Sequence, residues 1–311
     1  MSPFRILSLD GGGIRGILTA TLLERLEAAH PTFLSLVDLV AGTSTGGILA
    51  LGLASGLTPT QGRELYENLG NEVFKDSFWD NLKDLVQLTG AQYSTTPLKK
   101  VLVKQFGDMT LGDLPKRVLI SSFDLDNESK TPGKPRSWKP KFFHNFPGED
   151  SDAHEKVVDV ALRTSAAPTF FPIYQGFIDG GVIANNPSMC ALAQALQKGT
   201  GSQGLRDIRL ISVGTGANPK YVEAMDEDWG LVQWGSHLVS LMMEGSVGLA
   251  DYQCRQALHE RYIRINPYLP VAIGLDGTDQ IELMKNLASV IDLSEAMAWV
   301  KRNFKVSAKK P

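Results

Sequence analysis

The chain has 311 residues, 43% of them hydrophobic, and a formal net charge of -3 at neutral pH. That length and apolar content allow a large core without covalent staples, and the weak negative charge argues against a nucleic acid polymer as partner. Cys190 and Cys254 are the only cysteines and stand in no ligand spacing, so neither a disulfide framework nor a zinc site is expected.

At the start, Asp10 and the glycines after it interrupt the apolar run too soon for a signal peptide, and a cytoplasmic protein is expected. Phe4 to Leu9 alternates as a strand does and leads into DGGGIRG at 10–16. Gly11, Gly13 and Gly16 satisfy G-x-G-x-x-G, and the ILTATLLERLEAA that follows has leucines at helical spacing. Strand, glycine turn and helix in that order present backbone N–H groups to an anion whose nature the pattern leaves open. A second strand over 36–41 runs into Gly42-Thr43-Ser44-Thr45-Gly46 and then a helical segment. The longest apolar run, about Ile48 to Leu57, is broken by Gly52, Ser55 and Gly56 and is too short to span a bilayer. Further strands are predicted at 117–123, 208–213 and 261–265, and amphipathic helices at 61–69, 97–106, 155–163, 188–198 and 278–288. Such alternation predicts an α/β fold with a mostly parallel sheet. The polar, proline-rich stretch 124–141 reads as a hairpin or surface excursion, so residues 1–311 are expected to form one domain, with 214–311 as its mainly helical C-terminal portion.

GTSTG is G-x-S-x-G in the strand–turn–helix setting of a nucleophile elbow, where glycines flank a serine held in a tight, strained turn. A dinucleotide site needs an acidic residue at the end of the second strand, but Ala41 and Gly42 stand there. The two strand ends therefore suit acyl transfer better than cofactor binding: Ser44 as nucleophile, and the N–H groups of Gly12, Gly13 and Thr45 facing the oxygen that becomes negative. A dinucleotide-binding module remains a remote alternative. A serine needs a base. None of His144, His154, His237 and His259 follows a late, well-formed strand among small residues, whereas a strand-like 175–178 ends in Asp179-Gly180-Gly181. A histidine triad stays open as a second reading of the residues.

DGGGIRG at 10–16, GTSTG at 42–46 and DGG at 179–181, with RTSAAPTFFP at 163–172, resemble the signatures of the patatin-like lipid acyl hydrolases, in blocks covering about 4–213. The resemblance implies a three-layer α/β/α architecture and a Ser44–Asp179 dyad with no histidine, cofactor or metal. It also implies an oxyanion hole built from Gly11, Gly12, Gly13 and Arg15, with Arg15 adding positive charge near the developing anion. The implied substrate is a phospholipid or other acyl-ester lipid met in transient, peripheral contact with a membrane surface. Some bacterial members are switched on by a cyclic nucleotide, which makes a small-molecule activator a candidate partner here. For Asp179 to act as a base near neutrality, burial or a specific hydrogen bond must match its pKa to the task. Apolar contact with lipid is expected at Phe74, Phe78, Trp79 and Leu82, or along an acyl channel at Phe142-Phe143 or Phe170-Phe171. Lys130, Lys134, Arg136, Lys139 and Lys141 of the excursion are candidates for anionic headgroups.

Overall fold

The computed structural model describes residues 3–75, 90–130, 133–223 and 228–305. Among the described residues, seven strands form one sheet: β1 (Phe4–Leu9), β2 (Leu39–Thr43), β3 (Arg117–Asp124), β4 (Lys139–His144), β5 (Phe177–Asp179), β6 (Ile208–Val213) and β7 (Tyr262–Ile265). Their order is β4-β3-β2-β1-β6-β7, with β5 also paired to β3. The run from β3 through β2, β1 and β6 to β7 is parallel, and only β4 and β5 lie antiparallel, both on β3. This is the mixed α/β fold with a mostly parallel sheet that the alternation of segments predicts.

Side chains of successive strand residues point to opposite faces, and the core divides accordingly. Leu7, Leu9, Val40, Val118, Ile120, Ile211 and Val213 join one buried cluster, whereas Ile6, Leu39, Ala41, Leu119, Ile208 and Leu210 join a second. The first cluster is closed by α1 (Gly16–Ala29), α2 (Thr45–Ser55), α3 (Pro59–Leu69), α4 (Thr95–Phe106) and α5 (Val157–Thr164). The chain then makes α6 (Gly181–Ala184), α7 (Ser188–Leu196), α8 (Leu231–Leu258), α9 (Ile281–Val290) and α10 (Ser294–Asn303). Ala191 and Leu192 of α7 with Cys254 and Leu258 of α8 close the second cluster, while α9 and α10 add Met284 and Trp299 to the first.

The second strand begins later than its predicted 36–41. Leu34–Leu36 is a 3-10 turn, and the Asp38 carboxylate accepts the Arg5 N–H at 2.7 Å, so the ladder opens only at Leu39. The excursion at 124–141 is a hairpin arm, because β3 and β4 pair antiparallel on either side of it. Two of its five cations are engaged, Arg136 with Asp126 and Lys141 with Asp152, whereas Lys130, Lys134 and Lys139 are exposed. Among the described residues, no helix is long and apolar enough to cross a membrane.

β1 is followed in space by β2 on one side and β6 on the other. Where connections leave a parallel sheet in opposite directions, a crevice opens beyond the carboxyl ends of the strands. The glycine loop after β1, the turn after β2 and the loop after β6 all lie at that edge.

Candidate active site

Ser44 is the turn between β2 and α2, with φ 54° and ψ -124°. This left-handed backbone is one that side chains avoid, and it is held by a hydrogen bond from the Ser44 N–H to Thr164 Oγ1 at 2.8 Å. The flanking glycines are required by contact. A Cβ on Gly42 would lie 2.2 Å from the Gly46 carbonyl oxygen, and one on Gly46 would lie 2.3 Å from that of Leu9.

Asp179 reaches Ser44 through the pairing of β3. β2 occupies one edge of β3 up to Thr43 opposite Ser121, and β5 continues that pairing with Asp179 opposite Ser122. The last residue of β2 and the last of β5 therefore stand opposite consecutive residues of a single strand. Gly180 permits the approach, since a Cβ there would come within 2.4 Å of the Ser121 backbone oxygen. Thr164 and Ala166 tie the two loops together. Thr164 Oγ1 donates to the Ser121 carbonyl at 2.6 Å, and the Thr164 and Ala166 carbonyls accept the N–H groups of Gly180 and Asp179.

Both side chains are nearly closed to solvent, Ser44 at 8% and Asp179 at 2% exposure. Asp179 Oδ1 accepts the Gly181 N–H at 2.7 Å, whereas Oδ2 is buried with no aligned partner among the described residues. Burial pushes the Asp179 carboxyl up to about 7. The Ser44 hydroxyl, close enough to interact, and the Gly181 N–H pull it back part of the way. The result is a carboxylate near neutrality with one free oxygen beside a hydroxyl.

Among the described residues, the N–H groups of Gly12, Gly13 and Thr45 have no acceptor, and all three residues line the cleft with Ser44 and Asp179. Gly11 and Arg15 are placed differently from the oxyanion roles the family resemblance implies for them. The Gly11 N–H donates to the Asn185 carbonyl at 3.0 Å, and the buried Arg15 guanidinium donates to the carbonyls of Gly12 (3.3 Å) and Gly216 (3.1 Å). Both brace the loop from behind, and neither lines the cleft.

Other braces carry little local signal in the sequence. Asp10 forms a buried ion pair with Arg264 of β7, whose guanidinium also donates to Ser212 Oγ at 2.7 Å. Thr215 Oγ1 donates to the Gly11 carbonyl at 3.0 Å, and the Leu275 carbonyl accepts the Ile14 N–H at 2.7 Å. Only the GTG of 214–216, a glycine-rich strand end, marks one of them in the sequence. Leu275 and, from α8, Met243 also line the cleft, so the C-terminal portion supplies part of its wall.

The cleft is otherwise apolar, with Ile14, Ile48, Leu98, Phe170 and Phe171 along it. The Phe170-Phe171 pair thus lines the cleft, while Phe143 packs in the first core cluster and Phe142 against the second. Phe78, Trp79 and Leu82 lie outside the described residues, as does the side chain of Phe74. No histidine lines the cleft, and among the described residues no His/Cys/Asp/Glu group is arranged to hold a metal ion.

Residues 7–192 match the family model described as patatin-like phospholipase. A cGAMP-activated phospholipase of Pseudomonas aeruginosa is 32% identical, over 85% of this chain and 78% of its own length. The putative sporulation hydrolase CotR of Bacillus subtilis is 35% identical, over 98% of this chain and 99% of its own. Among solved structures, the ExoU–SpcU complex of the Pseudomonas aeruginosa type III secretion system matches with a TM-score of 0.48 and 16% identity, over 98% of this chain and 52% of that one.

Proposed function

Because this chain belongs to the patatin-like phospholipase family, a family of lipid ester hydrolases, we propose that it cleaves fatty-acyl esters of phospholipids through an acyl-enzyme on Ser44, with Asp179 as the only general base. The observation that carries this reading is the Asp179 carboxyl buried within reach of the Ser44 hydroxyl at the floor of an apolar cleft, its Oδ2 held by no other group among the described residues.

The steps follow from the geometry. The Ser44 Oγ attacks the ester carbonyl carbon as its proton passes to Asp179 Oδ2. Negative charge gathers on the carbonyl oxygen, where the free N–H groups of Gly12, Gly13 and Thr45 receive it, each donor being worth about 10²- to 10³-fold in rate. Collapse breaks the ester bond; the leaving alcohol takes the proton from Asp179, and the acyl chain stays on Ser44 along the apolar wall. Water then attacks the acyl-enzyme, giving its proton to Asp179, and the carboxylic acid departs as Ser44 regains a proton. Arg15 and Arg264 act on the loop rather than on the substrate.

A base must be ionised, so activity should rise with pH through the Asp179 titration. With a soluble p-nitrophenyl ester, kcat/KM is expected to climb to a plateau with a midpoint near 7, the value to which burial pushes Asp179. An organophosphonate is expected to label Ser44 alone. A profile flat between about pH 5.5 and 8.5, or a label on another residue, contradicts the dyad.

The cGAMP-activated relative supports a gated form of the same reading, in which the dyad is silent until a cyclic dinucleotide binds. Vesicle hydrolysis measured with and without cGAMP separates the two. An unchanged rate supports the constitutive form, and a rise of tenfold or more supports the gated one.

A further inference from the structure

α8 has two unlike halves. From Met243 onward it is docked: Met243 lines the cleft, Ser246 Oγ accepts the Asn185 N–H at 3.1 Å, and Ala250, Cys254 and Leu258 are buried. Before Met243 its described side chains are largely open, with His237, Ser240 and Leu241 bordering a groove shared with 218–222. Trp234, Leu238, Leu241 and Met242 are each between 41% and 56% exposed, and a Cβ added at Gly235 would meet nothing within 4 Å. No Lys, Arg, Asp or Glu occurs from Leu231 to Met243. A bare helix in water would ordinarily carry charges on its solvent side. Large apolar side chains grouped on such a surface mark a contact site.

We infer that this open half of α8 seats the protein on an electrically neutral phospholipid layer, with the rim of the cleft at the layer's surface. Two observations select that occupant. The bare half begins where Met243 enters the cleft, so the apolar surface outside is continuous with the apolar wall along which an acyl chain would be drawn. The stretch also offers no cation to an anionic headgroup and no charge of either sign to a protein partner. Its start carries an aromatic cluster, with Trp229 against Trp234 at 5.1 Å and against His237 at 5.7 Å between ring centroids. Indole rings, apolar in body with one polar N–H, favour the headgroup level of a bilayer. The hairpin arm suits an anionic layer instead, because Lys130, Lys134 and Lys139 are exposed on it, although Arg136 and Lys141 are paired with Asp126 and Asp152. The inference rests on the lipid hydrolase reading, since the acyl-binding cleft is what makes a lipid layer the fitting occupant.

The test uses the full chain carrying Leu238→Gln, Leu241→Gln and Met242→Gln together, with Val290→Gln, 77% exposed on another helix, as control. Glutamine keeps helix propensity, and all three positions are open to solvent. The triple variant is expected to hydrolyse the soluble ester within about twofold of wild type. It should lose about tenfold or more in co-sedimentation with phosphatidylcholine vesicles and in their hydrolysis. The control should match wild type in all three assays, and adding phosphatidylserine to the vesicles should change binding little. Undiminished co-sedimentation of the triple variant overturns the inference. So does a wild-type dimer that the triple substitution converts to monomer, which would make a second copy of this chain the occupant. Co-sedimentation of Ser44→Ala protein reads docking without turnover: if wild type hydrolyses no ester yet Ser44→Ala binds vesicles through this face, the hydrolase reading fails and the docking surface stands.

Discussion

Asp179→Asn lowers ester hydrolysis by at least about 10²- to 10⁴-fold, the worth of a positioned general base, while making the folded protein more stable at pH 8. The two effects share a cause. Burial raises the Asp179 carboxyl to about 7 from an ordinary value of 3.8, so between those values the folded chain holds a proton that the unfolded chain has released. Stability therefore falls as pH rises through that window and stays low above it. Ionising the buried group costs at most about 4 kcal/mol. Asparagine keeps an oxygen for the Gly181 N–H and never ionises, so it avoids the cost. Its thermal midpoint should exceed that of wild type at pH 8, by about 2 °C or more per kcal/mol, and the advantage should vanish near pH 4. Equal midpoints at pH 8 would mean that Asp179 ionises there at no cost and that its environment is not the dry one described. Substantial activity in Asp179→Asn would remove it as the base.

Ser44→Ala removes the nucleophile and should reduce hydrolysis of both the soluble ester and phospholipid vesicles by about 10⁴-fold or more, with no acyl-enzyme detectable by mass spectrometry. The fold should persist, because the main-chain bond from residue 44 to Thr164 remains available. Alanine is as strained as serine at φ 54°, whereas glycine is not. Ser44→Gly should thus be equally inactive but more stable than Ser44→Ala by about 1 to 2 kcal/mol, read from denaturant unfolding. A glycine variant no more stable than the alanine variant would show that the elbow stores no strain. Retention of a few per cent of activity in Ser44→Ala would place the nucleophile elsewhere.

Much of this molecule is local. A strand ending in glycines before a helix can be recognised from a dozen residues, because periodicity and glycine's freedom at positive φ act over that distance. This holds for β1 with DGGGIRG and for β2 with GTSTG, and the five amphipathic helices with predicted bounds lie within a few residues of them. Ser44, Asp179 and the glycine loop were each visible as features of short segments. The resemblance to a known family then linked them.

Their meeting is not local. Asp179 comes to Ser44 because β2 and β5 take successive positions along one edge of β3, a fact of strand pairing across 135 residues that no segment contains. The same holds for which amides remain free. Gly11 and Gly12 are alike in sequence, yet the first is consumed by Asn185 and the second faces the cleft. Arg15 reads as a charge for the substrate until Gly216 stands beside it, and nothing near Asp10 announces Arg264. By itself the sequence determined the fold class, the elbow and the chemical types at the site, since these follow from propensity and pattern over neighbouring residues. Only the tertiary structure decided which hydrogen-bonding groups are spent and which are left for a substrate. That depends on partners brought from far along the chain, and a buried donor or acceptor is defined by its surroundings rather than by its residue type.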